Sequence, residues 1–208
     1  MKNRIIRKLI VDENNELFDA QGMKYVEFKS DFSKIREYSA LILKRCPLRF
    51  LEENLLEQQL SEILKNGIKH GNKCDKSKKL KVWYDLRHRV RFIVEDEGEG
   101  FKRLEEWNDF YKKRQEALYR QDFDLFLKLA AYRGPESDES DGGNSLVVAL
   151  EFWNGGMIYN TARNKVGVVR WFPPGGQGGE STGSFTEKKH DGNQKQEYGG
   201  LRGLVRAT

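Results

Sequence analysis

A long amphipathic segment, residues 51–70, constrains the fold of this chain more than any other feature of its sequence. Apolar residues recur there at three- and four-residue spacing, and they are Leu56, Leu60, Ile63, Leu64 and Gly67. This spacing puts them on one stripe of an α-helix, and Gly71 with Asn72 forms a typical helix end. The sequence therefore predicts a long helix that buries one side against the rest of the protein.

Elsewhere the chain mixes strand and helix patterns. Alternation of apolar and polar residues, with turn-prone residues between the runs, predicts strands within 4–11, 23–29, 80–95 and 157–172. The third and fourth of these segments are predicted as hairpins, the latter with its turn at Asn164. Helical spacing predicts further helices at 30–43, 103–132 and 145–153.

Composition limits the classes of protein to which the chain can belong. Apolar residues make up 38% and charged residues 33%, which is enough for a core under a strongly solvated surface. Basic residues outnumber acidic ones by only 37 to 32, without a clustered stripe, so direct nucleic-acid binding is not expected. No run of about 18 apolar residues and no apolar signal region occurs, which predicts a cytoplasmic protein without membrane association.

Two further features concern the thiols and the end of the chain. Cys46 and Cys74 are the only cysteines, too few for a disulfide framework or a zinc cluster, so two reduced thiols are expected. Residues 173–208 hold nine of the twenty glycines with few apolar residues, which predicts a disordered tail after a domain at 1–172.

The long helix carries the first pattern with chemical content. Glu62 and Asn66 lie four residues apart, so both side chains occupy one helix face beside the apolar stripe. A carboxamide oxygen can hold Mg²⁺, and a carboxylate can take a proton from a hydroxyl group or water. Read alone, the pair also fits two solvated polar residues on a helix face.

Two glycine-containing segments follow in the sequence. Residues 96–101 read Asp-Glu-Gly-Glu-Gly-Phe at the end of an apolar strand, where glycines allow close backbone approach to a planar ligand and Asp96 can accept from an amine. Residues 141–146 read Asp-Gly-Gly-Asn-Ser-Leu and open a helix, which leaves backbone N–H groups available to a phosphate. The P-loop and dinucleotide-binding patterns are both missing.

The order of these three segments resembles the GHKL superfamily of DNA gyrases, histidine kinases and mismatch-repair ATPases. Residues 65–72, Lys-Asn-Gly-Ile-Lys-His-Gly-Asn, look most like the anti-sigma factor serine/threonine kinase branch. The resemblance covers residues 1–172. It implies an α+β fold: a two-layer α/β sandwich with a mixed, mostly antiparallel sheet and helices on one face.

The resemblance also implies roles for individual residues and the cofactors ATP and Mg²⁺. In the family the position of Glu62 is the catalytic base, that of Asn66 holds Mg²⁺, and that of Asp96 reads the adenine amine. The other nucleotide-binding positions implied by the match are His70, Gly98, Gly100, Gly142, Gly143, Asn144 and Ser145.

The chain departs from the family pattern in two ways. The second glycine of the family's Gly-x-Gly-Leu motif is replaced by Ser145, whose side chain either crowds a phosphate or adds a hydroxyl donor. Residues 102–141 form a longer insertion than the branch usually has, with aromatic residues that indicate folded helices. The insertion is interpreted either as additional core and surface helix or as a lid that docks a partner.

Two functions are therefore expected from the sequence. The first is an ATP-dependent protein serine/threonine kinase of the anti-sigma type, which phosphorylates an antagonist protein and sequesters a sigma factor. The alternative is a non-catalytic, nucleotide-gated protein-binding module. A histidine-kinase domain is less favoured, because no helical hairpin with a phosphoacceptor histidine precedes residue 62. The oligomeric state is not fixed by the sequence, and a homodimer is compatible with it.

Overall fold

The computed structural model describes residues 8–51, 55–132 and 144–172, and an open six-stranded sheet organises this part of the protein. The strands are β1 (Ile10–Val11), β2 (Lys24–Lys29), β3 (Lys79–Asp85), β4 (Val90–Glu95), β5 (Gly156–Tyr159) and β6 (Lys165–Arg170). Their order in the sheet is β1-β5-β6-β4-β3-β2. All neighbours pair antiparallel except β1 and β5, which are parallel. The two predicted hairpins are confirmed as β3–β4 and β5–β6.

The helices follow the predicted segments with local differences. They are α1 (Ile35–Leu43), α2 (Leu48–Leu51), α3 (Leu55–Lys65), α4 (Leu104–Tyr119), α5 (Phe123–Lys128) and α6 (Ser145–Phe152). Among the described residues of the long helix expected over 51–70, Leu51 ends α2, α3 covers Leu55–Lys65, and a π-helical turn instead of an α-helix follows over Asn66–Gly71. The segment 103–132 contains two helices, because Gln121 adopts a left-handed backbone with φ of 58°.

The helices pack on one face of the sheet. The apolar stripe of α3 is buried, with Leu56, Leu60 and Leu64 each at 0% exposure, and it meets inward residues such as Val82 and Phe92. Burial of one such side chain stabilises a fold by about 1.5–3 kcal/mol. This layer contains side chains of α1, α3, α4 and α6, so the predicted α+β sandwich with a mixed, mostly antiparallel sheet is confirmed.

The other face of the sheet is covered in part by residues 16–19. Leu17 packs against Ile158 and Val169 there. Buried Arg91 on β4 donates from Nη2 to the backbone carbonyls of Glu16, Leu17 and Asp19. Residues 16–19 therefore cover less of the sheet than the helices do. The cavity described below lies on the helix side of the sheet.

Three predictions can be compared with the structure only within the described residues. The predicted strand at 4–11 appears as Ile10–Val11, and residues 1–7 lie outside the described part. The predicted disorder of 173–208 concerns residues that are likewise outside it. Within the ranges that the structure describes, no helix is both long enough and apolar enough to cross a membrane.

Candidate functional site

A cavity of about 640 Å³ lies over the sheet between α3 and α4. Its floor includes Val94 on β4, Met157 on β5 and Val166 on β6. The π-helical turn and the segment after β4 form one wall, and the first residues of α4 and α6 form others. Ligand pockets in proteins measure about 300–1,000 Å³, so the cavity has the size of a small-molecule site.

The segment after β4 places a buried carboxylate in this cavity. Asp96 is held by two backbone hydrogen bonds to the β5–β6 turn: its N–H donates to the carbonyl of Asn164 at 2.9 Å, and its carbonyl accepts from Asn164 Nδ2 at 3.0 Å. The N–H of Gly98 donates to Asp96 Oδ1 at 2.8 Å. Burial nevertheless raises the pKa of Asp96 to about 6, because desolvation outweighs that hydrogen bond.

Glycines permit the close packing around this carboxylate. A Cβ atom on Gly98 would lie 2.2 Å from the carbonyl oxygen of Gly71 and 2.8 Å from Asp96 Oδ1. Gly100 has φ of +78°, and a Cβ there would lie 1.9 Å from the carbonyl oxygen of Ala162. Both contacts are too short for any side chain, so this loop can approach the helix end and the β5–β6 turn only as glycine.

We expect the Gly98→Ala substitution to lower the free energy of unfolding by about 2 kcal/mol, because the added methyl group must displace backbone at Gly71. Urea unfolding followed by circular dichroism measures this change. Glu99→Ala is the matched control in the same loop, since its side chain is 80% exposed and forms a surface pair with Lys102. Equal stability of the Gly98→Ala variant and wild type would contradict the close packing described here.

A buried asparagine joins the helix end to the glycine loop. Asn72 is 0% exposed, and its Nδ2 donates to Ser30 Oγ at 2.6 Å and to the carbonyl of Lys79 at 2.9 Å. Its Oδ1 accepts from the N–H of Glu97 at 2.7 Å. The side chain thereby fixes the segment after β4 relative to the π-helical turn. Sequence reasoning treated Asn72 only as a helix end, and no pattern identifies its partners.

The residues predicted on the long helix separate into two groups. Asn66 and His70 line the cavity, together with Gly67 and Gly71 of the π-helical turn. Glu62 is not among the cavity-lining residues, and its buried Oε2 accepts no hydrogen bond. Glu62 lies one helical turn before Asn66. Its Oε2 forms an ion pair with Lys65 Nζ at 3.7 Å.

The start of α6 provides the remaining predicted residues within the described ranges. Ser145 lines the cavity as the first residue of this helix. Asn144 precedes it without capping the helix through its side chain, and its buried Oδ1 has no hydrogen-bond partner. Gly142 and Gly143 lie outside the described residues. The candidate anion site at this helix end is therefore described only from residue 144 onward.

Sequence reasoning missed most of the basic and aromatic residues of the cavity. Basic side chains around it come from separate loops, and they are Lys73, Lys78, Lys102, Arg103 and Arg163. Asp96 and Glu99 are the acidic residues among the lining side chains, so positive charge is in excess there. These basic residues are scattered over the sequence, and no motif connects them.

Aromatic side chains close the apolar side of the cavity. Trp107 of α4 is 1% exposed and stacks on Tyr111 with ring centroids 5.2 Å apart. Tyr132 also lines the cavity, and its buried hydroxyl group has no hydrogen-bond partner among the described residues. Burial, and then the nearby charge of Asp96, raise the pKa of Tyr159. A planar ligand could therefore contact apolar rings on one side and Asp96 on the other.

The described residues contain no group of three or more His, Cys, Asp or Glu side chains placed to hold a metal ion. A metal ion at Asn66 would then need most of its ligands from a bound molecule or water, as Mg²⁺ commonly has beside phosphates. Asn66 fits that limited role because its amide oxygen is a hard, neutral ligand at the cavity wall.

Comparison of the sequence with protein-family models gives no match, and comparison with curated proteins gives none either.

Proposed function

We propose that this protein binds Mg·ATP in the 640 Å³ cavity and acts as a regulatory protein serine/threonine kinase of the anti-sigma type. One observation carries the proposal. Three sequence segments that are far apart in the chain, each matching a nucleotide-binding motif, contribute residues to one cavity. Those residues are Asn66, His70, Asp96, Gly98, Gly100 and Ser145, the last of which stands where the motif has its second glycine.

The adenine end of the nucleotide is assigned to the segment after β4. The Asp96 carboxylate accepts the exocyclic amine of adenine, and the N–H of Gly98 holds this carboxylate at the cavity wall. The buried position of Asp96 at the cavity supports this assignment, since burial disfavours its charged form and a donor from a ligand would stabilise that form. Trp107 and Tyr132 supply aromatic surface close by.

The phosphate end is assigned to the basic side of the cavity. Ser145 lies at the N-terminus of α6, where the helix dipole favours negative charge. Lys78 adds positive charge around the same cavity, and Arg103 and Arg163 line it while paired with Glu106 and Glu105. Mg²⁺, when bound with ATP, would offset phosphate charge and take Asn66 as its protein ligand.

The kinase reaction requires a base beside the γ-phosphate. In the proposed step, the Glu62 carboxylate takes the proton of a Ser or Thr hydroxyl group on the partner. The hydroxyl oxygen forms a bond to the γ-phosphorus, and the bond to the leaving ADP oxygen breaks in line. Glu62 reaches this position only after separating from Lys65, which is 3.7 Å away.

A second candidate function rests on the position of Glu62. Because this carboxylate is paired with Lys65 and does not line the cavity, the protein could bind nucleotide without transferring phosphate. ATP binding at this cavity would then switch a protein interface that involves the 102–141 segment. The two functions share the nucleotide site and differ in the fate of the γ-phosphate.

The partners follow from the kinase proposal. They are an antagonist protein that carries the accepting hydroxyl group and a sigma factor that the chain sequesters. The proposal includes a cytoplasmic location and no direct contact with nucleic acid or membrane. It is compatible with a homodimer.

Calorimetric titration of ATP and GTP, each with Mg²⁺ and with EDTA, tests nucleotide binding. We expect ATP to bind about tenfold or more tightly than GTP, because guanine presents a carbonyl oxygen where adenine presents the amine that Asp96 accepts. Mg²⁺ should strengthen ATP binding, and Asn66→Ala should remove that gain. No heat of binding at millimolar ATP would contradict both candidate functions.

A further inference from the structure

A second concave surface lies at the opposite end of β3, away from the candidate nucleotide site. Here the last turn of α1, the start of β2 and the end of β3 enclose a cavity of about 550 Å³. It shares no lining residue with the larger cavity. Binding of a ligand to this cavity therefore uses none of the residues of the proposed nucleotide site.

The rim of this second cavity is strongly basic. Its charged lining residues are Lys24, Lys44, Arg45, Arg87 and Asp85, which leaves an excess of three positive charges. Asp85 is already neutralised, since Nε and Nη2 of Arg87 each donate to one of its carboxylate oxygens at 2.8 Å. Lys44 and Arg45 are exposed and form no ion pair with any carboxylate among the described residues.

The position of these cations is set by the fold. Arg87 is held at the β3–β4 turn, where its carbonyl accepts from Arg49 Nη2 at 2.9 Å. Lys24 begins the edge strand β2, and its Nζ lies 6.0 Å from the centre of the Tyr84 ring on the neighbouring strand. Positively charged side chains therefore lie on both the α1 side and the sheet side of the cavity.

The floor of the same cavity is apolar. Leu41 on α1 is 55% exposed, and Ile42 next to it is 3% exposed. Leu86 and Tyr84, both half-buried, complete the apolar part of the lining. The exposed Leu41 beside these residues leaves an apolar patch within a charged rim, and exposed apolar patches rimmed by polar residues mark interaction sites.

We propose that this basic-rimmed cavity binds an acidic segment of a protein partner that inserts one aliphatic or aromatic side chain. Charge complementarity selects the acidic residues of that segment, and Leu41 with Ile42 and Leu86 receives the apolar side chain. A nucleic acid fits less well, because its phosphates make no favourable contact with an apolar floor. In addition, the cations lie on two sides of a cavity and do not form a continuous row along which a phosphate backbone could bind.

Selection of random 12-residue peptides displayed on phage, with the immobilised full-length chain as bait, tests the proposal. We expect enriched peptides to carry about three or more Asp or Glu residues around one large apolar residue. By fluorescence anisotropy, the Lys44→Glu/Arg45→Glu variant should bind an enriched peptide about tenfold or more weakly. Leu41→Gln should weaken binding about threefold through loss of the apolar contact.

Controls separate this surface from general charge effects. Lys112→Glu/Lys113→Glu changes the same net charge at exposed positions of α4 and should leave peptide affinity within about twofold of wild type. Thermal unfolding verifies that each variant is folded. Enriched peptides without acidic residues, or equal peptide affinity in the Lys44→Glu/Arg45→Glu variant, would overturn the proposal. So would a single-stranded oligonucleotide that binds more tightly than the peptides and is insensitive to Leu41→Gln.

Discussion

Asp96→Asn is expected to weaken ATP binding about a hundredfold while making the unliganded protein more stable. The carboxylate accepts the adenine amine through a charge-assisted hydrogen bond, and an amide either loses that bond or presents NH₂ to NH₂. The loss corresponds to about 3 kcal/mol. Calorimetric titration with Mg·ATP measures the affinity, and Glu99→Gln, an exposed acid at the same cavity, is the matched control.

The gain in stability follows from the pKa of the same carboxyl group. Burial raises the pKa of Asp96 from the ordinary 3.8 to about 6, so the folded state holds this proton more strongly than the unfolded state does. The folded protein therefore loses stability as pH rises from about 4 through 6, by about 2–3 kcal/mol from this group. Asn carries no charge, so the variant avoids this loss at pH 7.

Urea unfolding at pH 4.5 and pH 7.5 measures that difference. Between these two values we expect wild type to lose stability relative to Asp96→Asn, with other titrating groups common to both proteins. Parallel pH dependence in the two proteins would show that Asp96 is not desolvated. Lower stability of the Asn variant at pH 7.5, together with unchanged ATP affinity, would remove both the structural and the adenine-reading assignments.

Periodicity was sufficient to predict the helices and hairpins around the sheet, because it reports which residues must be buried together. The stripe of α3 and the alternating apolar residues of β3 and β4 lie in the core as expected, and β4 is also buried on its other face, at Arg91 and Ile93. The π-helical turn was not predictable, and neither was its close packing on other elements, where a Cβ atom on Gly67 or Gly71 would lie 2.5 Å from Leu80 and 2.3 Å from Asp96 respectively. Such contacts arise from tertiary packing and leave no periodic signal.

The sequence motifs predicted some of the residues that line the cavity and missed others. Asn66, Asp96 and Ser145 were predicted from local patterns and line one space. Trp107 and Arg163 line it too, but each belongs to a segment whose sequence reads as ordinary helix or turn. Glu62 shows the opposite difficulty, because helical spacing places it near Asn66 while its ion pair with Lys65 depends on rotamers that sequence does not specify.

Glu62→Gln is expected to slow phosphoryl transfer by about 10²–10⁴-fold while leaving Mg·ATP affinity unchanged. Gln keeps the shape of the side chain but cannot take the proton of the attacking hydroxyl group. Asn66→Ala differs, because loss of a Mg²⁺ ligand should reduce nucleotide affinity and transfer together. Incorporation of labelled γ-phosphate into a partner protein that binds the Mg·ATP-loaded chain measures transfer, and calorimetric titration measures affinity.

Lys65→Gln is the matched control for this prediction, since it breaks the 3.7 Å ion pair from the other side and retains the carboxylate. If Glu62 is the base, Lys65→Gln should transfer phosphate at least as fast as wild type, because the carboxylate no longer has to separate from a cation. A loss of transfer in Lys65→Gln equal to that in Glu62→Gln would assign the effect to the ion pair. A wild-type chain that binds Mg·ATP and the partner without labelling it would contradict the kinase proposal and favour the nucleotide-gated module.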